Sequence, residues 1–291
     1  MPTYQGFNST CVGYSHIKDG SECQDYSGFF CGEGFAVAAA ADGHGSEKYF
    51  RSGEGARIVV EAAIDSIKGF LSEKSENENL FKEKHTQILE NLAGTIATRW
   101  VTGVEKHCQE NLFNDSESEL IRKYYNIDLE SINEHVEDYS KLSFDNERTI
   151  TRIYGTTLVV GVITDGFAFA LNNGDGVVVL IDNEKKCSIP PETVNDQLFA
   201  GLTTSMSDID VVKKSFKYYF TTDIPKAIFL STDGVRDSYK LSGFFTLMSE
   251  LLSLFEQDTE AAQKKLEEWL PKISEKGSED DMSLAGIIKK A

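Results

Sequence analysis

Residues 35–45 read FAVAAAADGHG, and this stretch decides the fold. Its first seven residues, Phe35–Ala41, form the longest unbroken apolar run in the chain, with glycines just before and after it. A short apolar run bounded by glycine is typical of a strand in the core of a sheet. The run ends at Asp42, so the sequence predicts a core strand that delivers a carboxylate to the edge of its sheet.

Four further aspartates stand beside apolar segments in a similar way. They are Asp233 at the end of AIFLSTDG, Asp280 before MSLAGII, Asp175 inside FALNNGDG and Asp25 inside CQDYSGFF. Asp-Gly is also ordinary turn chemistry, which would explain any one of these aspartates taken alone. Five of them on predicted core strands favour a second interpretation, in which the carboxylates meet at one edge of the fold.

Carboxylates gathered at one edge repel one another and raise each other's pKa unless cations neutralise them. Hard divalent cations such as Mg²⁺ and Mn²⁺ prefer oxygen ligands of this kind. A backbone carbonyl can join them where glycine lets the chain approach closely, as at Gly43. The residues alone therefore predict an all-oxygen site for two or more metal ions.

Periodicity elsewhere predicts antiparallel sheets with helices packed outside. Apolar residues at helical spacing predict one helix around 58–71 and a longer one around 88–104. Similar patterns at 241–256 and 259–269 lie between the last two strands. The first 42 residues are predicted as strands and turns, and further strand patterns are LVVGVI, FAFALN, VVVLI, KSFKYYF, AIFLS and LAGII. Strands and helices do not alternate as βαβ units, which favours antiparallel sheets.

The pattern indicates one domain over 1–291 with two variable parts. Residues 114–149 are acidic and polar, with weak helical patches around 120–125 and 132–139, and are interpreted as an insertion that covers the body. Residues 184–222 begin with a proline-containing, aperiodic stretch and are interpreted as a flap-like excursion.

Composition excludes several classes of function. The 291 residues carry 29 basic and 47 acidic side chains, a net charge of −18. Such a chain repels nucleic acids and anionic membranes, and its longest apolar run is far below the ~20 residues of a membrane helix. The start, MPTYQGFNST, lacks the features of a signal peptide, and the five cysteines contain no CxxC pair. We therefore expect a cytoplasmic protein with reduced thiols.

Common catalytic motifs are missing from the sequence. It contains no GxxxxGK[ST], GxGxxG before a helix, HExxH or GxSxG pattern. The segment FLSTDGVRDS has the outline of a haloacid-dehalogenase nucleophile motif, but Ser231 stands where the attacking aspartate belongs. Only 58 residues follow Asp233, too few for the rest of that fold.

Taken in order, five motifs resemble the successive signatures of the metal-dependent serine/threonine protein phosphatases, the type 2C or PPM family. They are VAAAADGHGS, YGTTLVV, FALNNGDGVVVLI, AIFLSTDGVRDS and SEDDMSLAGII. SHIKDGSECQDYSGFF resembles the N-terminal strand pair of a bacterial branch. The resemblance runs from about residue 13 to 288 and is weakest over 75–150 and 184–222. It implies an α+β fold, a four-layer αββα sandwich of two antiparallel sheets flanked by helices.

The resemblance also implies a set of metal ligands for two or three Mg²⁺ or Mn²⁺ ions. Asp42 would bridge two ions, the Gly43 carbonyl and Asp25 would serve the second, Asp233 and Asp280 the first, and Asp175 a third. Asp281 stands where the family often has asparagine and is placed outside the ligand shell. In this family a water or hydroxide bridging two metals attacks phosphorus in line, without a covalent phosphoenzyme.

His44 matches the histidine of the family's DGH motif, a proposed general acid for the leaving alkoxide. The alternative is a residue that packs beside the site at the entry to a helix. Either position would place it next to the carboxylates.

The sequence departs from the family at two positions. Many members carry an arginine that grips the substrate phosphate where this chain has Gly20. Lys18 is the nearest cation and is our candidate substitute, although it lacks a bidentate fork and could instead be a solvated loop lysine. Gln24 stands where many eukaryotic members have a glutamate ligand, which weakens the expected second metal site, while bacterial members share the Gln-Asp form.

The resulting hypothesis is a phosphatase for phosphoserine and phosphothreonine in proteins, a monomer whose substrate comes from a cognate kinase. The alternative is a pseudophosphatase, which keeps the fold as a protein-binding regulatory module. Gly20 and Gln24 favour the alternative. Retention of Asp42, Asp233 and Asp280 favours the enzyme.

Overall fold

The computed structural model of the chain describes residues 3–73, 78–125, 143–144, 147–191, 204–208 and 215–290. The strands are β1 (Tyr4–Cys11), β2 (Tyr26–Cys31), β3 (Phe35–Ala41), β4 (Ser143–Phe144), β5 (Glu147–Arg148), β6 (Leu158–Thr164), β7 (Ala168–Asn173), β8 (Val177–Ile181), β9 (Cys187–Ser188), β10 (Lys217–Thr221), β11 (Ala227–Ser231) and β12 (Met282–Lys289). The helices are α1 (Tyr14–Asp19), α2 (Ser52–Glu73), α3 (Glu78–Glu110), α4 (Asp115–Tyr125), α5 (Thr149–Ile153), α6 (Asp233–Asp237), α7 (Leu241–Gln257) and α8 (Thr259–Lys276). Among these helices, none combines the length and apolar character required to cross a bilayer.

Ten of the strands form two five-stranded sheets, each with antiparallel neighbours. The first sheet has the order β1-β12-β11-β8-β9, and the second has the order β10-β7-β6-β3-β2. The last strand, β12, lies between β1 and β11 in the first sheet. The antiparallel sandwich expected from the sequence is confirmed.

Strand β3 shows why its sequence is apolar without interruption. Ala36, Ala38 and Ala40 belong to the cluster of side chains between the two sheets. Val37 and Ala39 belong to the cluster that joins the second sheet to its helices. Because the strand is buried on both faces, polar residues have no place on either side of it.

Helices cover the outer face of each sheet and complete four layers. Helices α2 and α3 pack on the second sheet, with Trp100 fully buried in that cluster. Helices α7 and α8 pack on the first sheet around Phe7, Phe229 and Leu251. The four helices expected from periodicity are thus confirmed, although α8 continues through Pro271 beyond the predicted end.

The N-terminal segment differs from the prediction at one point. The first 42 residues were expected to form only strands and turns, whereas Tyr14–Asp19 form helix α1. This helix has six residues and buries none of them, so it leaves no apolar periodicity in the sequence. It ends at Gly20, whose φ of 80° lies in the left-handed region that glycine adopts readily.

Part of the expected insertion over 114–149 lies against the body. The helical patch at 120–125 is part of α4, while the patch at 132–139 falls outside the described residues. Buried Arg51 of the body binds Glu117 of α4 at 2.6 Å and also donates to the Tyr154 hydroxyl. Helix α4 is therefore fixed to the core by a paired, buried charge.

Only parts of the expected flap over 184–222 are described. Strand β9 extends the first sheet, and β10 is an edge strand of the second sheet. Residues 204–208 lie between them and contact the loop after β3 through Ser205. The division into one domain with an insertion and a flap stays a prediction.

Candidate metal centre

Three of the predicted aspartates lie together where strands of both sheets end. Asp42 follows β3, and Asp175 lies between β7 and β8. Asp233 begins α6 and is separated from β11 by one residue. One carboxylate oxygen from each of them lies within 4.8 Å of the other two. The sheets therefore bring together residues that are far apart in the sequence.

Asp25 and Asp280 lie beside this trio. Asp25 is buried at the start of β2, and its Oδ2 accepts a hydrogen bond of 2.7 Å from the Thr232 hydroxyl. Its carboxylate is close enough to feel the charges of Asp233, Asp280 and Asp281. Asp280 is exposed just before β12. All five predicted carboxylates thus belong to one acidic neighbourhood.

Burial is the main influence on the acidity of the inner aspartates. It raises the pKa of Asp25 and of Asp42 well above the usual range, and neighbouring carboxylates raise both pKa values further. Burial and the charges of Asp175 and Asp280 raise the pKa of Asp233 to about 6. Because they are buried close together, these carboxylates are more stable with a bound proton or cation than as unpaired negative charges.

The donor set fits divalent metal ions. Within the described part of the chain, Asp25, Asp42 and Asp233 form no ion pair with lysine, arginine or histidine, so no protein cation is seen to offset them. Every side-chain donor of the cluster is a carboxylate oxygen, which is the ligand type that Mg²⁺ and Mn²⁺ prefer. The residues present can therefore hold hard cations.

Gly43 is packed too closely for any side chain. A Cβ there would lie 2.5 Å from the Gln24 carbonyl oxygen, which already accepts a 3.1 Å hydrogen bond from the Gly43 N–H. Residue 43 therefore has to be glycine for the Asp42 loop to rest on the segment that carries Asp25. The role of its carbonyl as a ligand stays a prediction.

His44 lies beside the cluster and is held by a part of the predicted flap. Its Nε2 lies 2.8 Å from the Ser205 hydroxyl, which lies 2.8 Å from the Ser207 hydroxyl. The His44 backbone N–H donates to the Gly155 carbonyl at 3.0 Å. Burial lowers the pKa of His44. The ring is thus fixed by hydrogen bonds and packing close to the carboxylates.

Lys18 lies on α1 and not on an isolated loop. Its Nζ lies 3.4 Å from a Glu279 carboxylate oxygen and 4.1 Å from the centre of the Tyr14 ring. Glu279 immediately precedes Asp280, so the ammonium lies on the segment next to the candidate site. The side chain is about half exposed, at 53%, and its role in substrate binding stays a prediction.

The Asp281 carboxylate holds several segments of the chain together. The sequence places Asp281 outside the ligand shell and does not predict this role. Its carboxylate accepts hydrogen bonds of 2.6 Å from the backbone N–H of Gly13 and of Gln24. His16 Nδ1 lies 2.9 Å from the same carboxylate, which is only 3% exposed. Asp281 therefore fastens the segments before and after α1 to the start of β12.

Sequence reasoning missed two other residues. The Thr232 hydroxyl binds Asp25 and accepts from the Ser283 N–H at 3.0 Å, and its position directly before Asp233 was a signal that could have been used. Ser205 lies in an aperiodic segment, where nothing in the local pattern indicates a contact with His44.

The family of the chain is settled by comparison with known proteins. The sequence profile of the family described as protein phosphatase 2C matches residues 12–271. This match covers most of the chain, so the chain belongs to the protein phosphatase 2C family and is a phosphoprotein phosphatase by class. No curated protein matches the chain.

Solved structures show the same fold at low sequence identity. The serine/threonine phosphatase Stp1 from Staphylococcus aureus is 16% identical, with a TM-score of 0.56 over 100% of this chain and 96% of that one. A bacterial serine phosphatase is 15% identical, with a TM-score of 0.54 over 99% and 98%. A sex-determining protein of C. elegans is 13% identical, with a TM-score of 0.55 over 100% and 66%. At such identities the likeness concerns the fold.

Asp280→Ala and Asp281→Ala are expected to differ sharply in metal-free protein. Asp281→Ala leaves the Gly13 and Gln24 N–H groups without their acceptor, so the free energy of unfolding should fall by about 2–4 kcal/mol. Asp280 is exposed, and its replacement should change that free energy by less than about 0.5 kcal/mol. Urea unfolding in the presence of a chelator measures both values. Equal effects would contradict the structural role of Asp281.

Proposed function

We propose that this chain is a metal-dependent serine/threonine protein phosphatase that hydrolyses phosphoserine and phosphothreonine in proteins. We further propose that it acts as a cytoplasmic monomer on substrates made by a cognate kinase. One observation carries the proposal: strands from both sheets bring one carboxylate oxygen each of Asp42, Asp175 and Asp233 to within 4.8 Å of one another. Among the residues that the structure describes, no lysine, arginine or histidine pairs with Asp42 or Asp233. Membership of the phosphatase family supports the same reaction class.

Two or three Mg²⁺ or Mn²⁺ ions would occupy the acidic neighbourhood. We propose Asp42 as the shared ligand, Asp233 and Asp280 on one side of it, and Asp25 with the Gly43 carbonyl on the other. Asp175 would serve a third ion. When bound, the cations would supply an acidified water and offset the negative charge of the phosphoryl group.

The chain's own side chains would prepare and complete the hydrolysis. The five carboxylates fix the position of positive charge, and Thr232 keeps Asp25 oriented through its 2.7 Å hydrogen bond. Hydrolysis adds water across the phosphorus–oxygen bond and releases an alcohol and inorganic phosphate. We propose that His44 gives a proton to the departing alkoxide oxygen, while its contact with Ser205 keeps the imidazole ring in place.

A pseudophosphatase is the second candidate function. It is favoured by Gly20, where many family members have a phosphate-gripping arginine, and by Gln24 in place of a glutamate ligand. Gly20 has an open surface around it, but its left-handed φ disfavours any residue with a side chain. A binding module would keep the fold without turnover, so an activity measurement separates the two candidates.

Hydrolysis of 4-nitrophenyl phosphate should depend on added Mn²⁺ or Mg²⁺ and stop with a chelator. Asp42→Ala and Asp233→Ala should each lower turnover by about a thousandfold or more, because each removes a carboxylate and its charge from the cation site. Steady-state rates, with circular dichroism to confirm folding, test this. More than a tenth of the original rate in either variant would contradict the ligand assignment, and the lack of chelator-sensitive turnover in the unaltered protein would favour the pseudophosphatase.

His44→Ala should affect substrates according to their leaving group. The loss of turnover should reach about a hundredfold or more on a phosphoserine peptide, because an alkoxide needs a proton to leave. It should stay within about tenfold on 4-nitrophenyl phosphate, because nitrophenolate is a stable anion. Ser205→Ala should show the same preference with a smaller loss. Equal losses on both substrates would exclude proton donation by His44.

Lys18→Ala should raise KM for a phosphopeptide more than it lowers kcat. An interaction of equal strength in the ground state and the transition state has this signature, and the loss should be on the order of 1–2 kcal/mol. Lys68→Ala on α2 serves as a control, since Lys68 has similar contacts, with its ammonium 3.3 Å from an Asp65 carboxylate oxygen and 4.6 Å from the centre of the Phe30 ring. An unchanged KM in Lys18→Ala would return Lys18 to the role of a surface residue.

A further inference from the structure

The outer helical layer of the first sheet contains a basic surface on an otherwise acidic protein. Two hollows lie along helices α7 and α8, with volumes of about 990 Å³ and 430 Å³. Both are lined by Trp269 and Glu250, so they form one continuous depression. We call this depression the α7–α8 groove. None of the proposed metal ligands lines it.

Positive charge dominates the walls of the groove. The lysines that line it are Lys185, Lys186, Lys265, Lys272 and Lys276. Glu250 is the only carboxylate among the residues that the structure places on its lining. Lys185 is paired with Glu256 at 2.8 Å, just outside the lining. A surplus of lysine remains in a protein whose net charge is −18.

Helix α8 sorts its charges by face. Lys265, Trp269, Lys272 and Lys276 follow at spacings of four, three and four residues, so they lie on one face of the helix, and all four line the groove. The glutamates of the same helix, at 260, 267, 268 and 275, are not on the lining. The basic face is therefore local, and the helix as a whole is close to neutral.

The lining also carries apolar side chains, alongside several serine and threonine hydroxyls. Trp269 is partly exposed at the junction of the two hollows, and the Lys265 ammonium lies 4.8 Å from the centre of its ring. Phe245 and Leu254 of α7 are also partly exposed on the lining. An occupant that matches this lining needs carboxylates for the lysines and apolar side chains for Trp269 and its apolar neighbours.

We propose that the α7–α8 groove binds an acidic segment of a partner protein that carries aromatic or aliphatic side chains between its carboxylates. Charge complementarity selects such a segment, and the ring of Trp269 offers contact to its apolar side chains. An extended polyanion such as nucleic acid, or an anionic membrane, would also meet the acidic surface around the groove. A short segment bound in the groove lies close to the lysines. Salt screens it from acidic residues farther away than about one Debye length, which is ~8 Å at physiological salt.

The test uses a fluorescein-labelled peptide of about twelve residues in which aspartate and glutamate pairs alternate with phenylalanine. Fluorescence anisotropy should show saturable binding that weakens as salt rises. Trp100 is fully buried, so a change in intrinsic tryptophan fluorescence on binding would report Trp269, and Trp269→Phe should remove it. A peptide with serine in place of phenylalanine should bind at least about fivefold more weakly.

Charge reversal distinguishes the groove from the overall charge of the protein. Lys272→Glu combined with Lys276→Glu should weaken binding at least about tenfold. The matched control combines Lys106→Glu on α3, where Lys106 is 72% exposed, with Lys264→Glu on α8 outside the groove lining, and changes the net charge equally. Its affinity should stay within about twofold. Melting temperatures confirm that both proteins are folded.

Three results would overturn the proposal. These are the lack of saturable peptide binding, equal weakening in the two double variants, and tighter groove-dependent binding of phosphatidylserine vesicles or single-stranded DNA than of the peptide. Hydrolysis of 4-nitrophenyl phosphate should be the same in both double variants, because no groove lysine is placed at the metal centre. Failure of docking is thus distinguished from failure of the proposed catalytic function.

Discussion

Repulsion between buried carboxylates is the constraint on which the rest of this structure depends. Asp25, Asp42 and Asp233 all have pKa values raised by burial and by one another. Such a cluster would spread apart on a compliant frame. Asp42 and Asp233 follow strands β3 and β11, which are buried throughout, and Asp25 precedes the edge strand β2. These strands belong to two sheets packed face to face. The apolar sandwich supplies the rigidity that holds like charges together until cations balance them.

Hydrogen bonds from hydroxyl and backbone N–H groups reinforce this frame at its open edge. Thr232 joins Asp25 to β12 through the Ser283 N–H. Asp281 joins β12 to the segments on both sides of α1 through Gly13 and Gln24. No described lysine or arginine pairs with Asp25, Asp42 or Asp233. The groups that fix the positions of these carboxylates are therefore not the groups that neutralise their charge. The protein supplies the former, and the latter are left to bound cations.

The sequence predicts much of the fold because its strongest patterns coincide with burial. The apolar run at Phe35–Ala41 is a strand buried on both faces, and the 3–4 spacing around Trp100 marks the buried side of α3. Helix α1 was missed because it buries nothing. Asp-Gly pairs at the ends of apolar strands identified Asp42 and Asp233, because a residue that follows a core strand lies at the edge of its sheet.

Contacts that depend on distant segments were not predictable in this way. Nothing around Ser205 indicates that its hydroxyl would lie beside His44, because that distance is set by how residues 204–208 return to the loop after β3. The three donors around Asp281 likewise come from Gly13, His16 and Gln24, more than 250 positions away. The basic face of α8 forms part of a groove only because α7 packs beside it, and this neighbour is not indicated by the local sequence of α8.

The central place of β12 also governs when the fold can be completed during its synthesis. Every other strand that the structure describes leaves the ribosome earlier, yet β12 lies between β1 and β11. It pairs with β1 through all eight of its residues and with β11 through five of them. Until it emerges, β1 and β11 have no partner between them, and Asp280 and Asp281 are missing from the acidic edge. A nascent chain can therefore pack the second sheet against α2 and α3 while the metal centre is still open. The cluster of five carboxylates is complete only after Asp280 and β12 have been made, so it is among the last parts of the described fold to be assembled during synthesis.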